Sequence, residues 1–238
     1  MIKTTPFEMV FIIRVIMKKF LCLFLTVMIL VSFVGCQNGS NDDVRGQISG
    51  ETLNQNTDEP EFELGKSENN IYNNNFLGLS CTLPKEWIFY TDEQMLEINN
   101  IVGEIVDDKV AEQLQKANVF YDMFATVPAE GSSINVTMEK LNILQATALN
   151  IKATLEAQIG TLKSTYENMG YTDVNISYQK ITVDNKEFDS LKIIAKVQGI
   201  SFYTTMFAFK KSNYMANVSI GSLQADEIQT ILSYFKIK

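Results

Sequence analysis

The sequence predicts an α+β fold in which an antiparallel sheet is packed between helices, an α/β/α sandwich. Three observations carry that expectation. Four strand-like segments follow one another from Val174 to Ile220 with only hairpin turns between them, an unbroken helical stripe precedes them, and an earlier hairpin pattern lies between Val119 and Met138. Strands joined by turns this short pair antiparallel, and a one-sided helix needs a sheet face to cover.

In chain order, the folded part is expected to open near Ile71. Asn73-Asn74-Asn75 is turn chemistry. From Leu77 to Leu83 the large apolar residues fall at 77, 79, 81 and 83, the alternation of a half-buried strand, and Pro84 stops it. Trp87 and Phe89 keep the period, with the single Trp of the chain as a core anchor. Thr91 followed by Gln94 forms a capping box. Met95, Ile98, Val102, Ile105 and Val106 then share one helical face, with Gly103 weakening its middle and Asp107-Asp108 either ending it or beginning a second short helix.

A strand is predicted around Val119 to Ala125, a turn at Glu130-Gly131-Ser132-Ser133, and a hairpin partner in the alternating Ile134-Asn135-Val136-Thr137-Met138. From Leu149 or Asn150 to Met169 the residues Ile151, Leu155, Ile159, Leu162, Tyr166 and Met169 form one stripe, and Gly170 stands where a left-handed cap belongs. The strands Val174 to Val183, Lys186 to Val197, Ser201 to Phe209 and Tyr214 to Ile220 follow, separated by Asp184-Asn185, Gly199 and Ser212-Asn213. Ile193-Ile194-Ala195 and Met206-Phe207-Ala208-Phe209 are apolar on both faces, as central strands covered on either side would be. Ser222 is expected to cap a last helix that turns Leu223, Ile228, Ile231, Leu232 and Phe235 inward.

Ahead of this domain, the apolar run Phe20 to Val34 follows Lys18-Lys19 and ends in small residues, the order of an export signal. Its 15 residues fall short of the roughly 20 a spanning helix needs, and the flank beyond is polar and acidic. Phe33-Val34-Gly35-Cys36 resembles the lipobox of bacterial lipoproteins, with Phe33 in place of the usual Leu. The resemblance implies a diacylglyceryl thioether on Cys36, cleavage before it, and acylation of the new amino group. A plain signal peptide or an uncleaved anchor is the alternative. Met17-Lys18-Lys19 is the more ordinary beginning, so residues 1–16 are expected to be a start-site artefact; if they are translated, Val10 to Val34 becomes a longer anchor.

The expected organisation is thus a leader over 1–35, a lipidated cysteine with a disordered acidic tether over 36–70, and the α+β domain over 71–238. The tether is rich in Asn, Gly, Ser, Gln, Asp and Glu and cannot bury enough apolar area to offset its ordering entropy; at this length it spans on the order of 30 Å. Losing Lys3, Arg14, Lys18, Lys19 and Glu8 with the leader leaves 16 basic and 27 acidic residues of the original 20 and 28, a net charge of about −11. Such a surface argues against a nucleic-acid partner and suits simple solubility.

Tyr72 with its Asn-rich turn, Gly78-Leu79-Ser80 running to Leu83-Pro84, and Trp87 resemble the opening motif of PsbP-like lipoproteins. The long helix ending at Gly170 and the closing meander extend the resemblance over residues 71–238. It implies the α/β/α sandwich and brings no catalytic residues with it, because members of that family range from photosystem accessory subunits to lipoproteins of unknown role.

Candidate chemistry is sparse. Cys22 leaves with the leader, Cys36 is expected to be capped by lipid, and Cys81 sits in a strand pattern in a chain without histidine, which favours a buried small hydrophobe over a nucleophile. Asp107-Asp108 and Asp226-Glu227 read as helix-terminal charges. Asp42-Asp43 lacks the spacing of a calcium loop. Asn135-Val136-Thr137, Asn175-Ile176-Ser177 and Asn217-Val218-Ser219 match a glycosylation acceptor inside predicted strands, where chance is the better account. No catalytic, cofactor or metal site is expected. The expected role is a lipid-anchored module on the extracytoplasmic face of a bacterial membrane, binding an envelope protein or small ligand. An enzyme acting on cell-wall or extracellular polymers through Asp or Glu and a chaperone-like factor for exported proteins are the alternatives.

Overall fold

The computed structural model describes residues 62–99 and 119–238. In chain order the described elements are β1 (Lys66–Glu68), β2 (Ile71–Asn74), β3 (Leu79–Thr82), β4 (Ile88–Phe89), α1 (Asp92–Ile98), β5 (Val119–Val127), β6 (Ser132–Lys140), α2 (Ile143–Ala148), α3 (Ile151–Asn168), β7 (Thr172–Val183), β8 (Lys186–Val197), β9 (Ile200–Lys211), β10 (Tyr214–Ser222), α4 (Glu227–Leu232) and β11 (Phe235–Ile237). Seven strands form one antiparallel sheet in the order β4-β5-β6-β10-β9-β8-β7, and four form a second in the order β1-β2-β3-β11. The α+β class and antiparallel pairing agree with the sequence pattern.

The local chemistry is legible in the turns. Asp184 and Asn185 take φ of 47° and 63°, and Gln198 and Gly199 take 52° and 82°; two successive residues at positive φ match the right-handed twist of the strands they join. Thr91 and Gln94 form the expected capping box of α1, and Asn150 caps α3 by accepting from the Ala153 N–H. Gly170 follows α3 at φ 89°.

The large sheet is buried on both faces. One face, carrying Ile134, Val136 and Met138 of β6 and Ala216, Val218 and Ile220 of β10, packs with Tyr72, Leu79 and Cys81 of the small sheet, with Trp87, and with Ile228, Ile231 and Leu232 of α4. The other face sets Tyr121, Leu191, Met206 and Met215 against Leu155 and Leu162 of α3, with Met95 and Ile98 of α1 at the margin. Beside them Tyr166 and Tyr171 pack with Ile193 and Phe202. Phe207 and Met206 point to opposite faces, as a central strand apolar on both sides requires.

Several expectations are corrected. Among the described residues, the layer opposite α3 is a small sheet together with the short helix α4. Ser222 is not a helix cap: it is the buried last residue of β10, and α4 starts at Glu227. Phe235 is inward but belongs to β11, opposite Cys81; Phe235-Lys236-Ile237 has period 2, which suits a strand. The ordered chain reaches into the expected tether, for Phe62 stacks on Tyr214 at 4.9 Å and Lys66–Glu68 pairs with β2. Val102, Ile105, Val106 and Asp107-Asp108 lie outside the described residues, as do residues 1–35 with the expected leader, Cys36 and Asp42-Asp43.

Candidate functional site

The candidate site grows out of two strand triplets. In Asn135-Val136-Thr137 and Asn217-Val218-Ser219 the valines face the small sheet, so strand alternation turns the polar residues to the helix-bearing face. Register then brings them together: Asn135 lies opposite Ser219, Thr137 opposite Asn217, and Ser133 opposite Gly221. Directly opposed residues on one face have Cβ atoms about 4.5–5.5 Å apart. Glu139 continues the row at its far end, opposite Met215.

An alternating polar row normally marks a solvent face, but this one is buried, with Asn135 at 0 % exposure, Thr137 at 2 % and Asn217 at 3 %. Among the described residues, several of its atoms have no hydrogen-bond partner: Nδ2 and Oδ1 of Asn135, Oδ1 of Asn217 and Oγ of Ser133. In the sheet, β6 and β10 lie between β5, on which α1 packs, and β8-β7, on which α3 packs. The patch therefore occupies the middle of the sheet, between the two helices. Polar atoms buried without a protein partner call for water or a ligand. With amide donors and acceptors, hydroxyls and Glu139 at one end, the patch is equipped to hydrogen-bond an uncharged polar group.

A second polar cluster is fully satisfied. Asp122 is the extra residue of a β-bulge, between Tyr121 and Met123 in the pairing of β5 with β6. Its carboxylate accepts from the Tyr72 hydroxyl at 2.5 Å, from Asn74 Nδ2 at 2.8 Å and from the Gly65 N–H at 3.0 Å. Asn74 Oδ1 in turn accepts from the Leu77 N–H at 2.7 Å. Burial raises the Asp122 pKa above the ordinary carboxylate range, against the lowering effect of these donors. Burial, then the neighbouring Asp122 carboxylate, holds the Tyr72 hydroxyl well above its ordinary value. A Cβ at Gly65 would stand 2.2 Å from the Tyr72 ring, so only glycine brings this backbone so close. The cluster ties the small sheet to the large one, and its satisfied bonding marks it as structural.

A third cluster joins β6, β10 and α4. Glu227 Oε2 accepts from Ser132 Oγ at 2.7 Å and from Ser222 Oγ, while Ser222 Oγ accepts from the Gln224 N–H at 2.9 Å. Both serines are 0 % exposed. Asp226-Glu227 stands at the start of α4, as a helix-terminal pair should. Cys81 is fully buried, and burial pushes its thiol far up. Among the acceptor-like triplets Asn135 and Asn217 are buried and Asn175 is exposed on β7. No group of three or more Cys, Asp or Glu side chains suited to a metal ion occurs among the described residues, and no helix there is long and apolar enough to cross a membrane.

No protein-family model and no curated protein matches the chain. Solved structures similar to it include a protein of Bacteroides thetaiotaomicron VPI-5482, at 10 % identity and TM-score 0.36 over 68 % of this chain and 45 % of that one. Another is LpqN, involved in cell envelope biogenesis of Mycobacterium tuberculosis, at 11 % identity and TM-score 0.35 over 65 % of this chain and 75 % of LpqN. A third is PA94 of Pseudomonas aeruginosa, at 8 % identity and TM-score 0.25 over 41 % and 63 %. Likenesses this distant assign neither a family nor an activity.

Proposed function

We propose that this chain is a bacterial cell-envelope lipoprotein, anchored through lipid on Cys36 to the extracytoplasmic face of the membrane, whose α+β body is a binding module. The observation that carries the binding role is the Asn135 carboxamide, which is 0 % exposed with neither polar atom paired among the described residues. Leaving a buried donor or acceptor unmade costs about 1–3 kcal/mol, a cost that a ligand bringing its own hydroxyl or amide groups would offset. The ligand class is therefore a neutral molecule with such groups set on an apolar frame, matching the Met206 and Met215 side chains on the same sheet face.

Native mass spectrometry of the protein taken from its own membrane tests the binding role. A bound small molecule is expected on the wild type and absent from Asn135→Leu and Asn217→Leu; an identical adduct on all three, or none on any, rejects it. The anchor is tested separately by feeding cells an alkyne fatty acid. Incorporation that disappears in Cys36→Ser is expected, and unlabelled wild-type protein rejects the anchor.

A further inference from the structure

The seven-stranded sheet ends on β7, and among the described residues no strand pairs with the outer side of β7. The edge is long and regular. From Asn175 to Val183, β7 keeps register with β8 without a shift, its bulge being confined to the first residues. Asp184-Asn185 is a two-residue turn at positive φ, so Val183 and Lys186 exchange hydrogen bonds, and every second residue back along β7 to Ser177 and Asn175 faces β8. Ile176 and Tyr178 therefore turn their N–H and C=O groups outward. Such an edge is a template for another strand, and the helix above it indicates whose.

Helix α3 packs on both β7 and β8. Its side toward the edge is marked by Lys152, whose Nζ lies 5.0 Å from the centre of the Tyr178 ring. Glu156, Lys163 and Glu167 follow at spacings of four, seven and four, which keeps them on that side. The order along the helix is thus base, acid, base, acid. A two-fold axis at Ile159-Gly160 sets Lys152 opposite Glu167 of a second copy and Glu156 opposite its Lys163, and the symmetry makes each pair twice. Lys163 and Glu167 form no ion pair among the described residues, and Lys152 and Glu156 are only loosely paired with each other, at 4.0 Å. Gly160 is exposed, with nothing among the described residues within 4 Å of where a Cβ would stand. Glycine disfavours a helix interior, and here it leaves room for a neighbouring helix. Ile159 packs on the same cluster as Ile176 and Tyr178, so the axis meets β7 at Ser177.

We infer that β7 and α3 form a two-fold interface with a second copy of this chain, β7 pairing antiparallel with its counterpart about Ser177 while the two α3 helices lie side by side. Ile176 is then opposite Tyr178 of the second copy, and Asn175 opposite its Gln179. Paired strands stand about 4.8 Å apart, so helices seated between β7 and β8 come about 10 Å apart, the ordinary distance between packed helices. The four ion pairs offset the mutual repulsion of two chains of net charge −8. The other charges at the edge do not oppose the pairing. Asp173 is held by Lys196 at 2.8 Å, Lys180 by Glu187 at 3.0 Å, and Asp189 accepts from the Tyr178 hydroxyl at 2.6 Å; Lys180 falls opposite Val174 of the second copy. Lys192, opposite Ser177 on β8, stands three strand spacings, about 14 Å, from its counterpart, beyond the screening length of about 8–10 Å. The inference depends neither on the polar patch nor on lipid at Cys36.

Disulfide trapping tests the register. The full chain with Cys22 and Cys36 replaced by serine is held in detergent micelles and oxidised with copper phenanthroline, with Ser177→Cys as the trap and Lys192→Cys, equally exposed, as the control. Opposed residues of a non-hydrogen-bonded pair lie about 4.5 Å apart at Cα, within the span of a disulfide, and about 14 Å is beyond it. Ser177→Cys is expected to give a covalent dimer and Lys192→Cys none, with the buried Cys81 reduced in both. Sedimentation equilibrium of the unbridged chain tests the helix pairs. Lys163→Glu, at an exposed position, should weaken dimerisation on the order of tenfold with an unchanged urea midpoint. Mixing it with a Glu156→Lys chain, which meets it with every pair of opposite sign, should restore the dimer. No bridge at 177, equal bridging at 177 and 192, or dimerisation indifferent to Lys163→Glu would overturn the inference.

Discussion

Replacing Asn135 by leucine should stabilise the protein while abolishing ligand capture. Asn135 is completely buried, and both polar atoms of its side chain lack partners among the described residues. A buried amide left unmade costs about 1–3 kcal/mol, and leucine, of similar shape, removes that cost and adds apolar contact with Phe124, which lies opposite it on β5. The expected gain is about 1–3 kcal/mol, or roughly 2–4 °C in Tm per kcal/mol for a domain of this size. Asn217, with one unpaired atom, should gain less. Equilibrium urea unfolding followed by the emission of the buried Trp87 measures it. A loss of 1 kcal/mol or more, with the slope unchanged, would show that the carboxamide is satisfied in the native state, and the binding role would lose its physical ground.

Three further outcomes are expected. Tyr72→Phe removes the 2.5 Å bond to the Asp122 carboxylate and should cost about 1.5–3 kcal/mol in the same unfolding experiment; a neutral result would mean Asp122 is protonated or hydrated instead. Burial raises the folded-state pKa of Asp122, so its contribution to stability is fully present below the ordinary carboxylate range and is lost as pH rises through the raised value. Asp184, lowered by the Ile237 N–H and Lys236, contributes in the opposite sense, so the readout is wild type minus Asp122→Asn. That difference should fall as pH rises above about 4, and a rising difference refutes the assignment. Finally, Cys81, buried and with its thiol pushed far up, should react with a thiol reagent only at the rate of unfolding; rapid labelling of native protein would contradict its burial.

What the sequence shows and what it hides divide along one line. Helix α3 and the meander from β7 to β10 were legible because their signals are local: a stripe at helical spacing, a left-handed glycine, and turn pairs at positive φ. The small sheet was obscured because its strands come from the two ends of the domain, and β11 is only three residues long. Nothing local announces that Phe235 will lie opposite Cys81. The Asp122 cluster was missed for the same reason, since it joins residues 50 positions apart, and Asn74 read as turn chemistry while its side chain is buried against that carboxylate.

The polar patch is a different case, because its signal was present and pointed the wrong way. Asn135-Val136-Thr137 and Asn217-Val218-Ser219 have the alternation of strands with one wet face, and as acceptor triplets they invited dismissal as chance. Yet β6 and β10 are the third and fourth strands of seven, with neighbours apolar on both faces. A polar row in the middle of such a sheet cannot reach solvent, and a sequence selected for stability alone would replace it with Val or Ile. Two triplets of the same form, brought side by side by the register of Asn135 with Ser219 and Thr137 with Asn217, are the juxtaposition on which the proposed binding role rests.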